Sequence, residues 1–478
     1  MKIKTITLRL LVFAMLPSSW AADYYVAPTG DDASPDGTIA RPFKTLGRGA
    51  AMLKDPGDAL FLRGGTYQNQ KMVVAVSGTA TAPIQILAYA GETPVIDGRN
   101  LSQSGGRSSP LVTLSGDYLV VNGLEARYSS GRGIMVNGSY DRVSHVFSHH
   151  NSGEGIMVTG KGVSNVVEYC DVWWNVCHNE YARAAKAGQD WGTALCSARS
   201  PRATILRHNT VHDNWGEGLD TYEAYDTIIE DNVIFNNWSV NLYTSDTPNS
   251  IVRRNLIYNT PHSPVADSMP PESVRVKGKS VGNRVACGIG FCDEVAGSGR
   301  FAKSTNVLIV NNLVMGCNGN FNYWNQDRAA PESTGLQGCL IAYNTFVNTE
   351  DQGPNRTQRA NLSIGKGSHL NARIENNLFV QEDAVRLAKV VNDAELHFSH
   401  NLWSANVPAG MAGPGDILGN PGLAKTGATG PGQLAASWFK VAAGSPAIGG
   451  AKAISEVSED FFGNPRGINP TLGAYEFK

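Results

Sequence analysis

One pattern limits this chain more than any other. From Thr204 it reads TILRHNTVHDNWGEGLDTYEA, then TIIEDNVIFNNWSVNLYTSDT, then SIVRRNLIYNT. VLIVNNLVMGC, CLIAYNTFVNT, ARIENNLFVQE and LHFSHNLWSAN follow further on. Each burst holds alternating apolar residues, an Asn, a second short apolar pair, then Gly or Asn. Earlier turns, YLVVNGLEARYSSGRGIMVNG and RVSHVFSHHNSGEGIMVTG, keep the period without the Asn. Uninterrupted repeats recur every 22 to 25 residues or so, a spacing that marks a stacked solenoid.

Residue types decide between strands and helices. The bursts are short, β-branched and alternate at period two, and they lack the long Ala, Leu, Glu and Lys runs of a helical solenoid. Three short strands per turn use up about one repeat. The expected fold is therefore all-β, a right-handed parallel β-helix. Asn209, Asn232, Asn255, Asn312, Asn344, Asn377 and Asn401 should stack at one corner, each amide bonding its own bend and the next Asn. Length alone suggests about three domains, but the repeat overrides this in favour of a single domain over residues 22–478. Within it, residues 22–100 form a cap and first coils, 101–405 the central coils with inserted loops, and 406–478 a packed tail. PFKTLGRGAAMLK (42–54) reads as a short amphipathic helix plugging the first coil, since a solenoid exposes strand edges at its ends.

The opening MKIKTITLRLLVFAMLPSSWAADYY has a basic start, a short apolar run and small residues near Ala21. That is the pattern of a signal peptide over residues 1–21, and the run is too short for a membrane anchor. A secreted or periplasmic protein is expected, and a monomer. The net charge of −2 offers no basic field for nucleic acid. Seven cysteines suit an oxidising compartment without making a dense disulfide framework, and no His/Cys cluster has zinc spacing.

Aligning the coils places GIMV (133–136), GIMV (155–158), GTAL (192–195), GLDT (218–221) and NLYT (241–244) on one strand position. The outward column then reads Met135, Met157, Ala194, Asp220 and Tyr243. The corner column reads Arg132, Glu154, Trp191, Glu217 and Val240. Asp220 and Tyr243 should lie side by side, with Glu217 turned to the same face by Gly216 and Gly218. Insertions at 171–190 and 260–287 enter just before this strand and should wall a groove. They carry Trp173, Trp174, His178, Tyr181, Arg183 and Lys186 on one side and Arg275, Lys277 and Lys279 on the other. The candidate substrate-binding residues are Arg183, Lys186, Trp191, Trp215, Arg275 and Lys277.

YYVAPTGDDASPDGTIARPFKTLGRGA and PGDALFLRGGTY resemble the opening of secreted bacterial β-helix proteins related to polysaccharide lyase family 9. The closing DFFGNPRGINPTLGAYEF resembles the usual end of the same superfamily, so the resemblance covers most of the chain. In that family calcium is held by aspartates on consecutive coils, one set in an Asp-Asp-Gly-Phe-Asp stretch, and a lysine on the next coil is the base. NWGEGLD (214–220) is similar to that stretch, with Gly216 and Glu217 at the paired positions and Asp220 at the last. The aspartate of the preceding coil falls at Trp191, beside Asp190, and the lysine position falls at Tyr243. The resemblance thus implies Asp190, Glu217 and Asp220 as metal ligands for Ca2+ and Tyr243 in the place of the base.

Several chemistries remain open on these residues. A uronate lyase removes the weakly acidic proton at C5 and expels the sugar at C4. It needs the carboxylate neutralised by a metal, Arg or Lys, and a base in reach. Tyr243 fits that base if neighbouring cations lower its pKa, and it can also return a proton to the leaving oxygen. Glu217 and Asp220 complete the expected catalytic set. An epimerase shares the first step. A hydrolase needs two carboxyls and nothing of Tyr243. A non-catalytic carbohydrate-binding β-helix needs neither. The lyase is the leading reading, and its expected partner is an acidic polysaccharide.

Overall fold

The structure is a computed structural model. It describes residues 21–101, 109–179, 192–260, 275–276, 279–280, 286–294, 303–325, 334–350, 359–407 and 409–478. Among these, no helix is long and apolar enough to cross a membrane. The expected signal peptide, Ala21 apart, lies outside the described residues.

Three long sheets of 13, 11 and 13 strands run the length of the molecule, and every neighbouring pair within them is parallel. Successive strands in the chain visit the three sheets in turn, which makes a parallel β-helix. Alternation sends every second side chain inward, and the inward residues of adjacent coils stack. In the 11-stranded sheet that column runs Val112, Ile134, Ile156, Leu195, Leu219, Leu242, Ile289, Phe321 and Leu362. All nine are fully buried, so each coil buries the apolar surface of the next. The expected helix is shorter than residues 42–54. It spans Leu46–Ala50, is capped by Thr45, and lays Leu46 and Ala50 over the first coil.

The asparagine stack is present as expected. Asn209 Nδ2 donates to Asn232 Oδ1 at 3.1 Å, and Asn232, Asn255, Asn312 and Asn344 each donate to the next at 3.0 Å. Asn377 donates to Asn401 at 3.1 Å, and Cys170 stands where the coil before Asn209 lacks the amide. The residue before each ladder Asn bends the corner with positive φ, as at His208 (54°) and Asp231 (57°). A second stack, not foreseen, runs along the corner that leads into the 11-stranded sheet. Asn151 donates to Asn175 at 2.9 Å, Asn175 to Asn214 at 3.2 Å, Asn214 to Asn237 at 2.8 Å, and Asn237 to Asn241 at 3.0 Å.

On the outer face of the third sheet, His149, Trp173, His212, Phe235 and Tyr258 stack in turn. His212 lies between the carboxylates of Asp171 (3.2 Å) and Asp213 (2.7 Å). Burial works against its charge, but hydrogen bonds to Asp171 and Asp213 prevail and hold its pKa up to about 9. The tail covers the later part of this face, with Leu434, Trp438, Phe439 and Leu472 packed on Phe235, Tyr258, Leu313 and Leu378. All seven cysteines are buried.

Candidate active site

The outward column of the 11-stranded sheet reads Met135, Met157, Cys196, Asp220, Tyr243, Gly290, Asn322 and Ser363. Asp220 and Tyr243 are therefore direct neighbours on adjacent coils, as the alignment required. The coil before them is registered two residues further on than expected. Cys196, not Ala194, lies beside Asp220, because Leu195 rather than Thr193 fills the core column. Thr193 consequently replaces Trp191 as the corner neighbour of Glu217.

This shift supplies a hydroxyl between the two acids. Thr193 Oγ1 lies 3.4 Å from Glu217 Oε2 and 3.1 Å from Asp220 Oδ2. A Gly218 Cβ would fall 2.5 Å from Asn237 Nδ2 in the second ladder. The chain therefore turns tightly there, and Glu217 and Asp220 share one outer face. Both are buried, at 7% and 6% exposure. One hydroxyl hydrogen serves two carboxyl acceptors, and Asp220 Oδ1 has no hydrogen-bond partner among the described residues. Burial pushes the Asp220 carboxyl well above the usual carboxylate range, and the charge of Glu294 adds to this.

Tyr243 departs from the expected base. Burial, then the neighbouring Cys292, Glu294 and Glu217, drives its pKa up, not down. Its hydroxyl donates to Glu294 Oε1 at 2.7 Å. Glu294, just past the strand Cys287–Asp293, also has its carboxyl raised, chiefly by burial. Trp324 stacks on Tyr243 with ring centroids 5.4 Å apart and planes 7° from parallel. Gly290 makes that possible, since a Cβ there would meet Trp324 Cη2 at 2.7 Å. Arg132 is paired with Glu154 at 2.8 Å.

Trp215 is not a groove residue. It is 2% exposed and packs with Val176 and Trp238, while Trp174 meets its edge. Arg183, Lys186, Asp190, Trp191 and Lys277 lie outside the described residues, and of Arg275 only the backbone is described, in a two-stranded hairpin. The first insertion is narrower than expected, because Asp171–Trp173 is still a regular strand of its coil and Asn175 belongs to the second ladder. Thr193, Glu294 and Trp324 are the residues that sequence reading missed. A core leucine two positions late was the one sign of Thr193. Glu294 and Trp324 come from coils beyond the long insertion.

Hard oxygen donors such as Glu217, Asp220 and Thr193 suit Ca2+, which takes six to eight oxygens, and the unpartnered Asp220 Oδ1 is free to serve as one. Among the described residues, however, no group of three or more His, Cys, Asp or Glu is arranged to hold a metal ion.

Three parallel sheets wound coil on coil put this chain in the class of right-handed parallel β-helix proteins. The sequence pattern of the Pel9A-like right-handed β-helix region matches residues 24–250, and the chain is a right-handed parallel β-helix protein related to polysaccharide lyase family 9. Pectate lyase PEL9 of Emericella nidulans is 28% identical over 223 residues, 44% of this chain and 52% of that protein. Pectate lyase L of Paenibacillus polymyxa is 33% identical over 123 residues, 25% of this chain and 26% of that protein. The matches thus span about half and a quarter of these curated relatives. The crystal structure of pectate lyase Pel9A shares the fold, with a TM-score of 0.57 and 19% identity, covering 97% of this chain and 98% of that one.

Proposed function

We propose that the protein is a polysaccharide lyase that cleaves a uronate-containing glycan by β-elimination on the outer face of the 11-stranded sheet. The observation that carries this reading is the placement of Glu217, Asp220 and Tyr243 on adjoining positions of one face. That face lies inside the stretch shared with the Pel9A-like region, and the curated relatives that match are pectate lyases. The partner is then an acidic polysaccharide, and an exported location suits a polymeric substrate.

In this reading Tyr243 is the acid. A phenol whose pKa is raised keeps its proton at neutral pH and can hand it to the leaving O4. Glu217 and Asp220, with the Thr193 hydroxyl and with Asp190 from outside the described residues, would hold Ca2+. When bound, Ca2+ supplies the positive charge that neutralises the substrate carboxylate. Arg183, Lys186, Trp191, Arg275 and Lys277 are proposed to contact the flanking sugars. Trp324, stacked on Tyr243, joins them.

Glycoside hydrolysis is the second reading. A protonated Asp220 close to Glu217 gives the acid and carboxylate that it needs. Purified protein incubated with polyuronates and neutral polysaccharides separates the two readings. New ultraviolet absorbance from a carbon–carbon double bond, rising with reducing ends, is expected of the lyase. Reducing ends without absorbance mean hydrolysis and overturn the lyase reading.

A further inference from the structure

The Tyr243 hydroxyl and the Glu294 carboxyl sit in one hydrogen bond of 2.7 Å. That distance limits how the two groups can meet a sugar ring. Groups that act from opposite faces must each stand about 3 Å from the ring, so their oxygens lie roughly 6 Å apart. Two oxygens in direct contact reach one face only. The pair is also fixed in place. Trp324 covers the Tyr243 ring, and the Glu294 backbone N–H donates to Asp246 Oδ2 at 3.2 Å. Asp220 adjoins Tyr243 on the preceding coil, which sets the pair beside the other acids of the same face.

We propose that Glu294 and Tyr243 form a base–acid pair for syn elimination, and that the substrate carries H5 and O4 on the same ring face. Glucuronate and mannuronate have that configuration. In galacturonate and guluronate the two are trans-diaxial and leave from opposite faces. The proposal rests on the lyase reading and names its substrate class.

The step balances without a co-reactant. The C5–H bond breaks and its proton passes to the Glu294 carboxylate, while its electron pair forms the C4–C5 double bond. The C4–O4 bond breaks, and O4 takes the Tyr243 hydroxyl proton. Glu294 then returns its proton to the Tyr243 phenolate across the existing hydrogen bond, and both groups are reset. The net change moves one proton from C5 to O4.

The test uses the full-length protein with polymannuronate, polyglucuronate and a glucuronate-containing heteropolymer on one side. Polygalacturonate and polyguluronate stand on the other, with double-bond absorbance as the readout. Absorbance is expected from the first group alone. Glu294→Gln keeps an acceptor for the tyrosine but cannot take the C5 proton. It should lower kcat by about 100-fold or more with KM changed less than about threefold. Glu294→Asp, which keeps the carboxylate, should retain more activity than the Gln variant, a difference that misfolding would not produce. Cleavage of polygalacturonate or polyguluronate alone would overturn the syn pair and leave the lyase reading standing. Cleavage of the first group with an unimpaired Glu294→Gln enzyme would overturn the role of Glu294. Absorbance from no uronan at all overturns the lyase reading, and the pair falls with it.

Discussion

Trp324 lies flat on Tyr243, ring against ring at 5.4 Å and 7° from parallel, although 80 residues of chain separate them. Only the bare Gly290, next to Tyr243 in the outward column, leaves room for the indole that reaches over it. Gly290→Ala would drive a methyl to 2.7 Å from Trp324 Cη2 and 3.0 Å from Val240 Cγ1. The expected outcome is a displaced Trp324, seen as a change in tryptophan fluorescence, with at least tenfold weaker uronan binding by calorimetry. Unchanged fluorescence would show that the stack does not depend on this glycine.

Asp220 should weaken the metal-free fold at neutral pH. A carboxyl whose folded pKa is raised holds its proton more tightly folded than unfolded. Its contribution to stability therefore falls as pH climbs above the unfolded value of about 3.9. In chelator, Asp220→Asn should melt with wild type below pH 4 and above it at pH 7. Adding Ca2+ should raise the wild-type midpoint at pH 7 and leave the variant unmoved. Parallel responses of the two proteins would remove Asp220 from the ligand set.

Trp215 offers a contrast with the groove. It is buried against Val176 and Trp238, so Trp215→Ala should cost about 3–5 kcal/mol of stability in denaturant unfolding. Its KM, measured well below the unfolding transition, should match wild type. A selective loss of affinity without loss of stability would return Trp215 to the binding surface.

His212 sets a pH limit of a different kind. Its folded pKa is held up to about 9 by Asp171 and Asp213, against an unfolded value of about 6.5. The stabilisation is complete below pH 6.5 and disappears as pH rises through 9, on the order of 3 kcal/mol in all. Urea midpoints should fall across that window, and His212→Phe should flatten the fall. A variant with the same slope as wild type would assign the alkaline limit to another group.

The fold was readable because one geometric rule repeats. Alternating apolar residues followed by Asn mark the first ladder from Asn209 to Asn401 and the inward columns, the coil of Thr193 apart. The second ladder escaped notice because its members are unevenly spaced. Asn237 and Asn241 come from the same coil, and an insertion separates Asn175 from Asn214. The register slip at Thr193 has a similar cause. Gly192 looks like the corner glycine of GIMV and GLDT, yet the core leucine of this coil arrives two residues after Thr193. Tyr243 lies beside Asp220 as the alignment places it, but its pKa is raised where a base needs it lowered. A pKa depends on burial and on Glu294, which lies 51 positions away across a long insertion.

The asparagine stacks point one way. Along the first, each side-chain amide from Asn209 to Asn377 donates to the Asn of the next coil and also to a backbone carbonyl of the coil before. The end is taken over by Asp416, which accepts from the Asn401 backbone N–H at 2.8 Å and from Trp403 Nε1 at 2.9 Å. Such a row behaves like a zip whose teeth are all alike. Removing or duplicating one whole repeat hands each amide a neighbour of the same kind, whereas losing a single residue leaves one donor facing an apolar side chain. The molecule can change length in whole coils, and its groove can lengthen with it by one strand at a time.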